Sequence, residues 1–216
     1  MSPQAFSYVL LELEPILNTI LTICKGSGEP LMEGNCFYQH MTNGKRIPEL
    51  FSKQMNLYNA AKYSKHIMEI GFNAGHSSLL FLMANPSSKL TIFDICEHAY
   101  TKPCVEYLMS LFPERITFIE GDSTKTVPKY FEKHPDVSFD LIHIDGAHDV
   151  SIADKDFKNS YPMASNTIIW DDTQDEGLRK LLDSYISQCL VSEVQMEETF
   201  IYKHAIVKVM KPNKFS

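Results

Sequence analysis

Arginine is scarce in this chain: 216 residues contain only Arg46, Arg115 and Arg179. The formal net charge is -7. A binder of polyanions needs a basic face, so nucleic acid is not an expected partner. Paired metal-type or disulfide-type cysteines are missing as well. Cys24, Cys36, Cys96, Cys104 and Cys189 are odd in number and form no CxxC pair, which reads as free thiols in a reducing, cytoplasmic setting. The opening stretch MSPQAFSYVLLELEPILNTILTIC has no basic n-region and no small-residue cleavage site, so it does not read as a signal peptide. Its apolar run is broken by Glu12, Glu14, Pro15 and Asn18, so a membrane span is not expected and a membrane is not an expected partner. GxGxxG, the glycine pattern that holds a pyrophosphate, is absent too.

What is present describes a folded, soluble chain. Hydrophobic residues make up 44% and charged residues 22%, a balance that supports a substantial core. Phe6, Val9, Leu10, Leu13, Ile16, Leu17, Ile20 and Leu21 recur at helical spacing. They predict a helix packed on the main domain, kinked or split at Pro15; the alternative is a lid or a homodimer contact. Residues 25–48 hold four glycines and two prolines with little periodicity and read as a long irregular connection. The division is therefore an N-terminal helix with a lid-like segment over 1–48, and the main domain over 49–216.

From residue 49 onward, short apolar runs alternate with helical stretches. Strands are expected at 66–70, 90–94, 115–120, 139–145 and 166–171, and helices at 76–85, 99–112, 125–133, 150–160 and 176–188. This alternation predicts an α/β fold with a mostly parallel sheet and helices on both faces. Residues 193–210, EVQMEETFIYKHAIVKVM, read as two strands without an intervening helix, an antiparallel hairpin at one edge that completes seven strands.

Ligands of open α/β sheets sit beyond the carboxyl ends of the strands, and the distinctive residues of this chain follow its strands. After the first come Glu69, Gly71, Gly75, His76 and Ser77; the two glycines permit a tight turn close to a ligand or simply a strand-to-helix turn. After the second comes Asp94, 25 residues beyond Glu69, either a ribose-binding acid or a surface carboxylate. After the third come Gly121, Asp122 and Ser123, suited to an adenine edge or to a helix cap. After the fourth come Asp145, Gly146, Ala147 and His148, and after the fifth Asp171, Asp172 and Thr173. Three carboxylates on one rim repel one another. A Mg²⁺-like divalent cation on Asp145, Asp171 and Asp172 would neutralise them; helix capping is the alternative. His148 is placed to serve as a general base or to support a metal ligand, with a purely structural histidine as the alternative. His143, inside a strand among apolar neighbours, reads as a packed core residue.

Taken together these segments resemble class I S-adenosylmethionine-dependent methyltransferases, and more narrowly the metal-dependent small-molecule O-methyltransferases with a DGxH signature. The resemblance covers roughly residues 40–210. It implies a Rossmann-like fold and a cofactor held by Glu69, Gly71, Phe72, Asn73, Gly75, Ser77, Asp94, Ile95, Asp122, Ser123 and Asp145. It places the three metal ligands at Asp145, Asp171 and Asp172. In catechol-type members the residue three beyond the first metal aspartate is a catalytic lysine; here it is His148, so the substrate class is not carried over. The implied activity is methyl transfer to a hydroxyl of a small-molecule acceptor, with Asp145 and His148 as catalytic residues and a divalent metal, Mg²⁺ by chemistry, assisting. Glu29 to Arg46, with Tyr38, His40 and Met41, is expected to line the acceptor pocket. The rival readings are a silent cofactor-binding scaffold on the same fold and a metal-dependent enzyme of non-methyl chemistry.

Overall fold

The computed structural model describes residues 1–29, 36–39, 44–197, 199 and 201–210. Seven helices and seven strands follow in chain order. They are α1 (Pro3–Gly26), α2 (Phe51–Ala61), β1 (His66–Ile70), α3 (His76–Ala84), β2 (Lys89–Asp94), α4 (Thr101–Leu111), β3 (Ile116–Glu120) and α5 (Ser123–Lys133). Then come β4 (Phe139–Ile144), α6 (Val150–Ser160), β5 (Ala164–Trp170), α7 (Glu176–Ser187), β6 (Val191–Glu193) and β7 (Ala205–Val209).

The strands form one sheet in the order β3-β2-β1-β4-β5-β7-β6. β1 to β5 run parallel, and β7 lies antiparallel to both β5 and β6. This is the mostly parallel α/β sheet with an antiparallel edge that the alternating pattern predicts, in the Rossmann-like arrangement that the resemblance implies. The connection order reverses beside β1, where a crevice opens at the carboxyl edge. Register makes that edge sharp: Ile70 pairs with Phe93 and with Ile144, and Ile144 pairs with Trp170. Gly71, Asp94, Asp145 and Asp171, each the next residue, therefore emerge side by side.

Strand side chains alternate between faces, and two cores result. Ile67, Leu141 and Ile169 face the core that also holds residues of α1 to α4. Met68, Ile70, Ile142, Ile144, Ile168 and Trp170 face the core shared with α5 to α7. By the same alternation Glu69 and His143, a registered cross-strand pair, fall on the face of the first core.

α1 belongs to that first core. Phe6, Leu13, Leu17, Ile20 and Cys24 are buried, and the Phe6 ring meets Phe51 at 5.4 Å and Tyr58 at 5.3 Å. By length and composition α1 could cross a membrane, but this stripe is spent on the protein interior. Pro15 does not split it: the helix is continuous from Pro3 to Gly26. Pro15 and Leu11, whose carbonyl loses its helical donor, both lie on the exposed side, where water replaces the missing bond. The C-terminal pair also differs in detail. The first strand is Val191–Glu193, earlier and shorter than expected. Between it and β7 the backbone at Glu197 and Lys203 is engaged elsewhere: Asn56 Nδ2 donates to Glu197 O (2.9 Å) and Thr173 N to Lys203 O (2.9 Å).

Candidate active site

Segments following four parallel strands enclose a cleft of about 630 Å³ at the carboxyl edge. Its walls are Ile70, Gly71 and Asn73; Asp94, Ile95, Glu97 and His98; Gly121 to Thr124; Asp145 to His148; and Ile152 and Lys155 from α6. Gly71 has φ +91°, and a Cβ there would lie 1.9 Å from the Asp145 carbonyl oxygen, so no larger residue fits where these two turns cross.

Asp94 organises the glycine turn. Its Oδ2 accepts from the amides of Phe72 (2.7 Å) and Asn73 (3.0 Å), and its Oδ1 accepts from Cys96 N at 2.6 Å. A carboxylate has about four acceptor positions, so about one remains for a ligand. Holding both hydroxyls of a ribose would require one amide to yield. Beside it Ile95 is 63% exposed, an apolar side chain held open on the cleft wall. Asp122 caps α5, its Oδ1 accepting from Thr124 N (2.9 Å) and Thr124 Oγ1 (2.6 Å). The Thr124 hydroxyl above all, with Lys125, holds that carboxyl down at about 2. The expected cap is thus formed by a residue that also lines the cleft. Glu29, where the irregular segment begins, is tied at the rim by Ala99 N (3.0 Å) and His98 Nδ1 (3.2 Å).

Next to the cleft runs a buried polar chain. Ser77 Oγ donates to Glu69 Oε1 at 2.5 Å, Ser78 Oγ donates to Oε2, and His143 Nδ1 lies 3.0 Å from Oε1. His143 Nε2 faces Asp171 Oδ2 at 3.5 Å and Asp145 Oδ2 at 4.0 Å. Lys53 Nζ, from α2, donates to Asp171 Oδ1 at 2.7 Å, with both side chains buried. Burial disfavours the His143 cation, but the adjacent Asp171, Glu69 and Asp145 carboxylates override it and raise its pKa to about 10. Burial, followed by repulsion from Asp171, pushes the Asp145 carboxyl well above the carboxylate range. Burial acts the same way on Asp171, yet Lys53 and His143 outweigh it and hold Asp171 ionised, far below that range.

His148 stands on the cleft wall with its side chain half exposed, and its Nε2 lies 2.8 Å from Asp172 Oδ2. Asp172 (φ +56°) also accepts from Gln174 Nε2 at 2.7 Å. Asp171 and Asp172 thus diverge, Asp172 having left the extended strand for a left-handed backbone. Asp171 joins Lys53 and His143, whereas Asp172 joins His148.

The expected set of Asp145, Asp171 and Asp172 is therefore not assembled. Among the described residues, the donor atoms that come within 4.8 Å of one another belong to His143, Asp145 and Asp171. With Lys53 in place these side chains fit a divalent ion poorly: Asp171 Oδ1 already accepts from Lys53 Nζ and from Asp172 N (2.8 Å), so an ion on Asp171 would have to share that carboxylate with an ammonium. Asp171 Oδ2 and His143 Nε2 are buried without a hydrogen-bond partner.

Of the residues expected at the cofactor, Gly71, Asn73, Asp94, Ile95, Asp122, Ser123 and Asp145 line the cleft. Glu69, Phe72, Gly75 and Ser77 stand behind its wall. Glu69 and Ser77 are hydrogen-bonded to each other; the Phe72 ring packs on Phe118 (6.3 Å) and lies 2.4 Å from where a Gly75 Cβ would be. Tyr38 is buried against His76, ring centres 5.6 Å apart, away from the cleft wall; His40 and Met41 lie outside the described residues. Sequence reasoning missed Glu97, His98 and Lys155 on the wall, and Lys53 behind it. It read His143 as apolar packing. That ring is fully buried, but it bridges carboxylates, as its register with Glu69 could have signalled.

Residues 68–173, just under half of the chain, match the sequence family described as a methyltransferase domain. No curated protein matches the chain. An O-methyltransferase from Bacillus cereus in complex with SAH aligns with a TM-score of 0.68 and 18% identity, covering 96% of each chain. The O-methyltransferase TomG from Streptomyces achromogenes, involved in tomaymycin synthesis and in complex with SAM, aligns at 0.65 and 15%, covering 91% of this chain and 89% of its own. The SAH-bound methyltransferase PaMTH1 from Podospora anserina aligns at 0.58 and 14%, covering 77% and 83%. At such identities the likeness is one of fold. The cleft walls, from Ile70 to Lys155, all lie within residues 68–173, the segment that matches the methyltransferase-domain family.

Proposed function

We propose that this protein transfers the methyl group of S-adenosylmethionine to a hydroxyl of a small molecule. The observation that carries the reading is one cleft, inside a methyltransferase domain, with Asp94, Ile95 and Asp122 on one side of β1 and Asp145 with the His148–Asp172 pair on the other. The cofactor supplies a methyl group on a positively charged sulfur. Asp94 has an acceptor position for a ribose hydroxyl, Ile95 offers an apolar surface to the base, and Asp122 and Ser123 stand at the base's polar edge. Asp145, whose carboxyl is pushed up by desolvation and by repulsion from Asp171, lies where a further cation would favour its ionised form.

His148 receives the proton of the acceptor hydroxyl. The Asp172 carboxylate, 2.8 Å from His148 Nε2, steadies the imidazolium that forms. The divalent ion suggested by the three aspartates enters no step, because Lys53 and His143 already meet the charge of Asp171. The test is release of S-adenosylhomocysteine on incubation with S-adenosylmethionine and a panel of sugars and phenols, using the wild-type chain and His148→Ala. Acceptor-dependent release that falls in the variant supports the reading. No release with any acceptor counts against it, and equal release by both proteins removes His148 from the reaction.

A further inference from the structure

We propose that Lys53 is the resident cation of this site: its ammonium takes the electrostatic place of a divalent ion on Asp171 and Asp145, so the site works without bound metal. The inference rests on the methyl-transfer reading above, and it assigns a positioning role to a residue outside the cleft wall.

The geometry is that of a built feature. Lys53 Nζ lies 2.7 Å from Asp171 Oδ1, with side-chain exposures of 7% and 1%. A lysine stem is flexible and normally reaches for water, yet this one is held on a helix tied down on both sides. The next residue, Gln54, donates through Nε2 to Cys36 O at 2.7 Å, and Asn56 donates through Nδ2 to Glu197 O at 2.9 Å. The ammonium is thereby aimed at the one place where His143, Asp145 and Asp171 bring donor atoms within 4.8 Å of one another. Buried carboxylates that close need a counter-charge. Asp171 Oδ1 is filled by the ammonium and by the Asp172 amide. Oδ2 has no hydrogen-bond partner and faces the His143 ring. An ion placed on Asp171 would stand within a few ångströms of Nζ, at low effective dielectric, where like charges repel strongly. Ammonium and divalent ion therefore exclude one another, and the chain encodes the ammonium.

The experiment is titration of the full chain with Mn²⁺ alone, followed by calorimetry and by the electron paramagnetic resonance of free Mn²⁺, with S-adenosylhomocysteine titrated in parallel. The wild-type chain shows no saturable Mn²⁺ binding, and its methyl transfer is unchanged in excess EDTA. Lys53→Met, which keeps the stem and removes the charge, gains one Mn²⁺ site on the order of 100-fold tighter than any wild-type binding. Lys53→Arg, which restores a positive charge, stays blind to the ion, a result that mere space-filling by the side chain does not predict. Saturable wild-type Mn²⁺ binding that Asp171→Asn abolishes would overturn the proposal, as would loss of turnover in EDTA. A folded Lys53→Met that gains no Mn²⁺ overturns it as well; if that variant does not fold, the wild-type titration and the EDTA assay still decide. Failure to bind S-adenosylhomocysteine would instead strike at the methyl-transfer reading, independently of the Mn²⁺ result.

Discussion

Asp156 on α6 gives the most quantitative prediction. It is 1% exposed, and neither carboxylate oxygen meets a hydrogen-bond donor in good geometry. Its surroundings are the Ser123 hydroxyl, the Asp122 charge and Gly146, whose Cβ, if present, would sit 3.3 Å from Oδ2. Burial raises its pKa from the ordinary 3.8 to about 6, with the Ser123 hydroxyl opposing and Asp122 adding to the shift. The folded chain thus holds this proton where the unfolded chain has lost it. Between about pH 4 and pH 6 stability falls as pH rises, and above that the loss is complete. The rise from 3.8 to about 6 corresponds to about 3 kcal/mol at pH 7, an upper figure because denatured chains retain structure. Asp156→Asn removes the titration. Urea unfolding of both proteins from pH 4 to pH 8 should show a stability difference that grows in favour of the variant by about 2–3 kcal/mol across that window and then stays level. Parallel pH profiles would refute the claim that this carboxyl is buried without a partner.

Three further outcomes follow from the site. His148→Ala should lower turnover by about 10²–10⁴-fold, the usual worth of a general base, while S-adenosylhomocysteine affinity measured by calorimetry changes little. Gly71→Ala forces a Cβ to 1.9 Å from the Asp145 carbonyl oxygen at φ +91°; it should lower the melting temperature and abolish cofactor binding together, and a variant of wild-type melting temperature would show that the two turns do not cross so closely. Glu69→Ala leaves the His143 cation and two serine hydroxyls without their shared acceptor. Breaking such a buried pair costs about 3–5 kcal/mol, readable as a shift of the urea midpoint, and a shift under about 1 kcal/mol would mean the network is not a unit.

The strands of the sheet were legible because fully covered strands read as apolar runs, and β1 lies at the residues read for it, 66–70. The cleft was legible for a related reason: strand ends in register put the residue after each strand on one rim. Less legible was whatever depends on side-chain direction. The left-handed turn at Asp172 sends it away from Asp171, and register brings Glu69 together with His143, but the placement of Asp145, Asp171 and Asp172 at strand ends suggested a single acidic group. Lys53 carried no signal at all. It sits in FSKQMNLYNAA, a helix of mixed character, and its partner lies 118 positions away. Only packing of α2 over the sheet edge makes that pair.

The central claim is that the cleft takes an adenosyl sulfur ligand and that Asp94 is part of its grip. Calorimetric titration of S-adenosylhomocysteine, with NAD as the competing adenosine ligand, tests it in one sitting. The account predicts one-to-one binding of S-adenosylhomocysteine by the wild-type chain, none of comparable strength for NAD, and binding at least about tenfold weaker in Asp94→Ala. Silence toward S-adenosylhomocysteine, or an affinity that Asp94→Ala leaves untouched, would contradict it.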